Sequence, residues 1–185
     1  MTIARNAPSL AVPVSPTDHI AGPEHAPVLL VEYGDFECPI CASVESGVRQ
    51  LRELHPANMA FVFRHFPLED AHPHALMAAE AAEAAGAQGK FWEMHDLLLA
   101  NTRHQKRAQL DGYARQLQLD VARFTSELDD EIYRQRVREH QAGGRRSHLR
   151  ATPAFFVNGV LQDVSGGMQE LFNRVADAVQ RSKRR

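Results

Sequence analysis

Two cysteines stand in this chain of 185 residues, and both fall in one tetrapeptide, Cys38-Pro39-Ile40-Cys41. Ahead of them runs Pro27-Val28-Leu29-Leu30-Val31-Glu32-Tyr33, short, apolar and rich in β-branched residues, and Gly34-Asp35 breaks it. That pattern predicts a strand followed by a loop. Behind them Ile40, Val44, Val48, Leu51 and Leu54 recur at steps of three and four, which predicts a helix with these residues on its apolar face. Pro39 then lies in the first turn, where its missing N–H removes no intrahelical bond. Strand, loop and helix together place a dithiol at a helix N-terminus.

That placement has chemical consequences. Unpaired backbone N–H groups and the positive end of the helix dipole favour a thiolate over a thiol, so the Cys38 pKa is expected to lie below that of a free cysteine. Cys41, one turn further on, is expected to point back toward the same turn but deeper against the protein body. Cys38 is therefore read as the nucleophile and Cys41 as the resolving thiol. An inert pair of core cysteines fits poorly with a polar, glycine-containing approach loop. Zinc would need four ligands, and no second cysteine pair exists. His72-Pro73-His74 has the wrong spacing for a finger, so neither a metal nor a cofactor is expected. His65, His72 and His74 read as solvated or helix-end residues, with a place near the site as the lesser reading.

A 44% hydrophobic content can fill the core of one domain carrying an insertion. The formal net charge of −2 predicts no bulk attraction to nucleic acid or to an anionic membrane. Residues 1–17, with Pro8, Pro13 and Pro16, read as a flexible leader without the uninterrupted apolar core of a signal peptide. The alanine-rich run from Ala75 to Ala85 is interrupted by Glu80 and Glu83, so no stable membrane insertion is expected. The expected compartment is the cytoplasm, or the periplasm if the sequence is that of a mature chain. The basic end, 181–185, reads as a solvated tail.

Met59 to Phe66 is a second strand candidate, closed by Pro67. From about Asp70 to Gly143 the pattern is helical, with breaks near 86–89, 101–104, 119–120 and 129–130. Leu76, Ala79, Ala82 and Glu83 mark one helix, Phe91, Met94, Leu97 and Leu98 the next, and Leu110, Tyr113, Ala114 and Leu117 a third. Strand character returns at Ala154-Phe155-Phe156-Val157, with Asn158-Gly159 as a hairpin turn and Val160-Leu161 as the return strand. Met168 to Val179 reads as the last helix. The expected architecture is an α/β sheet interrupted by a helical subdomain, with boundaries at 18–68, 69–146 and 147–180.

The Val28–Tyr33 run, Cys38-Pro39-Ile40-Cys41, Phe63-Arg64-His65-Phe66-Pro67, Lys90-Phe91-Trp92-Glu93-Met94-His95 and Thr152-Pro153-Ala154-Phe155-Phe156-Val157-Asn158-Gly159 occur in the order seen in one family. From about Asp18 to Val179 the chain resembles the DsbA-like thiol-disulfide oxidoreductases of the thioredoxin superfamily. The resemblance implies a thioredoxin fold with an inserted helical subdomain. It further implies a cis Pro153 beside the dithiol, a Thr152 backbone that binds substrate peptide, and Glu32 as a buried acid beneath the active site. In that role Glu32 would take the proton of Cys41 when this thiol resolves a mixed disulfide.

The expected activity is dithiol/disulfide exchange with protein or peptide thiols, with glutathione or a reductase as further partners and with no nucleic acid. Pro39 and Ile40 would tune the redox potential. Ile40 offers neither charge nor hydrogen bond where the most oxidising relatives carry a histidine, so a weaker oxidant is expected. The direction of exchange stays open. Two other readings stand beside this one: a thioredoxin-fold module that binds peptides with an incidental dithiol, and a glutathione-linked enzyme of related fold acting on a small molecule.

Overall fold

The computed structural model of the protein describes residues 9–184. In chain order its elements are β1 (His19–Ala21), β2 (Val28–Gly34), α1 (Pro39–Leu54), β3 (Met59–His65), α2 (Ala75–Gly86), α3 (Phe91–Ala100), α4 (Arg107–Gln116), α5 (Val121–Asp129), α6 (Arg134–Arg146), β4 (Ala154–Val157), β5 (Val160–Gln162) and α7 (Met168–Ser182). They form two compact units. Among the described residues, one comprises 9–33, Ser46–Arg64 and 143–184; the other comprises Gly34–Glu45 and His65–Ala142.

The first unit is built on a mixed five-stranded sheet in the order β1-β3-β2-β4-β5. β2 and β3 are sheet neighbours joined through α1, and a helical crossover is the connection that parallel neighbours require. β4 runs antiparallel to β2, with Tyr33 opposite Ala154 and Leu30 opposite Val157. Central strands are covered on both faces, and the near-continuous apolar run of β2 reflects this, since Val28, Leu30, Val31 and Tyr33 are fully buried. Asn158 and Gly159 turn β4 into β5 with φ of 48° and 81°, the two positive values that a type I′ hairpin demands.

The short edge strand β1, for which the sequence offers no periodic signal, pairs antiparallel with β3. Residues 9–18, most of which the sequence reads as leader, are tied down by hydrogen bonds. Leu10 N donates to Gly159 O at 2.8 Å and Ala11 N to Ser147 Oγ at 3.0 Å. The buried guanidinium of Arg64 explains the rest, because its N–H donors need acceptors. It finds them in Val12 O (2.8 Å), Pro13 O (2.9 Å), Tyr33 Oη (3.1 Å) and both oxygens of Asp18 (2.8 and 2.9 Å). The first eight residues of the expected leader, and Arg185 of the basic end, lie outside the described residues. Arg181 and Ser182 belong to α7.

In the second unit α2 packs against α3 and α5, and α4 packs against α5. The alanines of α2 allow this close approach, with Ala75, Ala78, Ala81, Ala82, Ala84 and Ala85 buried. Two carboxylates interrupt that face. Glu80 binds Arg134 at 2.9 Å, and Glu83 binds Arg136 at 2.7 Å and His65 Nε2 at 2.9 Å. Buried charge survives here because each carboxylate has a cationic or N–H partner.

Candidate active site

β2 ends at Gly34, and the four residues that follow turn the chain into α1. Cys38 N donates to Asp35 O at 3.1 Å, closing that turn, and Cys38 O accepts Ala42 N at 3.2 Å as the first helical bond. Cys38 is thus the N-cap residue of α1 and Pro39 its first helical residue. Neither cysteine is joined in a disulfide. Both are buried, Cys38 with 5% exposure and Cys41 with none, so Cys38 is the less enclosed of the two.

The helix presents its faces differently from the predicted stripe. Ile40 and Leu54 are each 58% exposed, and the buried row runs Cys41, Glu45, Val48, Leu51. The spacing was right, but the stripe is turned toward Cys41 and includes a carboxylate. Glu45 therefore lies one turn beyond Cys41 on the same face.

The loop ahead of Cys38 is held by groups that no sequence pattern marked. The Asp35 carboxylate accepts Glu37 N at 2.9 Å through Oδ1, and Leu68 N and His72 Nδ1 at 2.8 Å each through Oδ2. Glu37 Oε2 accepts His74 N at 2.6 Å. Two acidic residues on the cysteine loop thereby fasten it to the segment between β3 and α2. Below them Gln105, fully buried, donates through Nε2 to Phe36 O at 2.6 Å and to Leu98 O at 2.9 Å. The Phe36 ring packs on His65 and His95, with centroids 5.8 and 5.7 Å away. His65, read from the sequence as solvated, is buried, and its ring stacks on His140 at 5.4 Å.

His72 has the most informative electrostatics in this neighbourhood. Partial burial pulls its pKa down, but the hydrogen bond and charge of Asp35, followed by the charges of Cys38 and Glu37, outweigh it and hold the pKa above the usual histidine value. Asp35 ties the His72 ring to the cysteine loop, since its carboxylate binds the ring and its carbonyl closes the turn at Cys38.

The remaining predicted residues lie in the sheet or just ahead of one of its strands. Glu32 is buried in β2 and pairs with Phe155. Thr152 is buried, and Thr152-Pro153, joined by a cis peptide bond, leads directly into β4. Two groups among the described residues have donor atoms close enough for a metal: His65, Glu83 and His140, and Glu45, His95 and Asp96. In the first, Glu83 already binds Arg136 and His65, and His140 Nδ1 accepts His65 N at 3.3 Å. In the second, His95 Nδ1 binds Asp96 at 3.0 Å. Part of each donor set is thereby engaged by protein partners.

A family model described as Thioredoxin matches residues 14–173. The Na(+)/H(+) antiporter NhaA 1 of Salinispora arenicola (strain CNS-205) is 49% identical over 170 residues, 91% of this chain but 26% of that protein. The chain spans about a quarter of the length of the curated relatives it matches. Among solved structures, oxidised BdbD from Bacillus subtilis is similar with a TM-score of 0.83 at 20% identity, covering 95% of this chain and 99% of that one. Wolbachia pipientis alpha-DsbA1 gives 0.80 at 19% identity, covering 94% and 96%. The likeness to these two shows a shared fold, the thioredoxin fold with its inserted helices.

Proposed function

Since the chain belongs to the thioredoxin family as a DsbA-like member, we propose that it exchanges disulfides with protein or peptide thiols through Cys38 and Cys41. The observation that carries this reading is the pair of reduced cysteines at the first turn of α1, the first slightly exposed and the second enclosed. In the reducing direction the Cys38 thiolate attacks one sulfur of a substrate disulfide. A Cys38–substrate bond forms, and the other substrate sulfur leaves as a thiolate. Cys41, once deprotonated, then displaces the bound substrate sulfur, so two electrons pass to the substrate and the enzyme keeps the disulfide. The oxidising direction is the reverse and needs no cofactor.

Glu32 is proposed as the acceptor of the Cys41 proton, and Thr152-Pro153 as the segment that offers backbone to the peptide, as the resemblance implies. In a cytoplasmic setting the glutathione pool would keep the pair reduced, which favours reductase or isomerase work. The ion exchange named for the longer relatives is not carried over. The match covers about a quarter of their length, and no helix among the described residues is long and apolar enough to cross a membrane.

The test is equilibration of the protein in glutathione buffers with mass analysis of the thiols, paired with alkylation at neutral pH. The expected result is a reversible Cys38–Cys41 disulfide and faster alkylation of Cys38 than of Cys41. Reduction of a protein disulfide should be lost in Cys38→Ser, while Cys41→Ser should accumulate a mixed disulfide. Failure of the pair to form an intramolecular disulfide would refute the proposal.

A further inference from the structure

We propose that His72, fixed by Asp35, is the cation that stabilises the Cys38 thiolate, and so acts as a positioning residue for the redox centre. The inference rests on the dithiol reading given above.

Asp35 is the geometric link. Its backbone carbonyl accepts Cys38 N at 3.1 Å, and its carboxylate accepts His72 Nδ1 at 2.8 Å, so one residue holds both the turn that carries the sulfur and the imidazole. The ring is not free to swing away, because Leu68 N shares the same carboxylate oxygen at 2.8 Å and His72 N donates to Leu68 O at 2.9 Å. At 20% side-chain exposure the ring is screened from much of the solvent, which strengthens its interaction with a nearby anion.

The groups that bear electrostatically on His72 are Asp35, Cys38 and Glu37, all of which favour its protonated form. Glu37 is engaged by His74 N. Its carboxylate and that of Asp35 would by themselves oppose a thiolate at Cys38, since like charges disfavour ionisation. A protonated His72 offsets them. The exposed Ile40 contributes no charge between the cysteines, so the stabilising charge comes instead from a residue 34 positions downstream of Cys38.

The coupling is reciprocal. A protonated His72 favours the thiolate, and the thiolate raises the proton affinity of His72. Oxidation to the disulfide removes the negative charge, so His72 must then titrate at lower pH and release a proton in the interval between its two titration points. The stabilising contribution of the raised His72 pKa to the folded, reduced protein is therefore fully present below the ordinary histidine pKa of about 6.5 and is lost as pH rises through the folded value. That pH dependence shrinks in the oxidised protein.

The full chain carrying His72→Gln, which loses the charge and keeps an amide donor, is compared with wild type by alkylation of Cys38 as a function of pH. A nearby opposite charge favours ionisation by about a unit or more, so the variant should alkylate roughly tenfold more slowly at pH 6. The glutathione equilibrium should move toward the disulfide by up to about tenfold, because the reduced form has lost its stabilised thiolate. Proton NMR of the His72 ring in wild-type protein supplies a readout independent of any substitution: its titration point should fall on oxidation. An unchanged Cys38 profile in folded His72→Gln, or an identical His72 titration in both redox states, would overturn the proposal. If the wild-type pair does not exchange with glutathione at all, the proposed function fails, while the thiolate titration still decides for or against His72.

Discussion

Removing Asp18 should uncover a buried cation. Arg64 and Asp18 are about 3% and 4% exposed at their side chains, and they share two hydrogen bonds of 2.8 and 2.9 Å. Burial works against the guanidinium charge, yet the hydrogen bond to Asp18 and the contacts to Tyr33 outweigh it and raise its proton affinity further. In Asp18→Ala the guanidinium keeps the carbonyls of Val12 and Pro13 and the Tyr33 hydroxyl but has lost its counter-charge. Deleting one partner of a buried pair costs about 3–5 kcal/mol. At roughly 2–4 °C per kcal/mol for a chain of this size, the expected fall in Tm is roughly 6–20 °C. Thermal unfolding by circular dichroism gives the shift, and urea unfolding gives the free energy with a check that m is unchanged. Residues 9–18 should lose amide hydrogen-exchange protection, since two of their carbonyls and Asp18 itself anchor to Arg64. A double variant, Asp18→Leu with Arg64→Met, should regain part of the loss, because it removes the uncompensated charge. A cost below about 1 kcal/mol for Asp18→Ala, the value of a solvated surface pair, would refute the buried-pair argument.

Gly22 has φ of +114°, and a Cβ built there would stand 2.6 Å from Met59 O, so Gly22→Ala should cost about 2 kcal/mol or more in chemical denaturation. Gly89→Ala is the control, since its Cβ would meet nothing within 4 Å and only its positive φ is strained. Gln105→Leu removes two buried hydrogen bonds, to Phe36 O and to Leu98 O, of which the latter still accepts Asn101 N, an expected loss of about 1–3 kcal/mol. Because Phe36 lies two residues before Cys38, the native-state alkylation rate of Cys38 should change in the same variant.

What the sequence disclosed was local. The helix breaks near Gly86, Asn101, Leu119 and Asp129 all fall where the structure ends one helix and starts another, because each rests on nearby residues with weak helix propensity. Asn158-Gly159 was readable for a similar reason, two adjacent residues suited to positive φ. The helix after Cys38 was readable in period but not in phase. Counting only apolar residues put Ile40 and Leu54 inward, whereas Cys41 and Glu45 hold the buried face. Hidden altogether were features made by distant partners: β1 and residues 9–18, ordered by Arg64 some 50 positions later, and the Asp35–His72 pair, 37 residues apart. Neither histidine nor aspartate announces such a partner through spacing, so His72 read as a solvated residue.

The sheet topology also sets a timetable for synthesis. β2 is a central strand, yet its partner β4 is encoded about 120 residues later, and at ribosomal rates of ~5–20 residues per second β4 emerges roughly 6 to 24 s after β2. For that interval the edge of β2 that will receive β4 is an open row of backbone donors and acceptors flanked by Leu30, Val31 and Tyr33, while the helices α2 to α5, whose contacts are near in sequence, can already assemble. Nascent chains that stop short of residue 154 are therefore the aggregation-prone species of this protein, and the yield of folded product should depend more on factors that shield an unpaired strand during elongation than on the stability of the finished molecule.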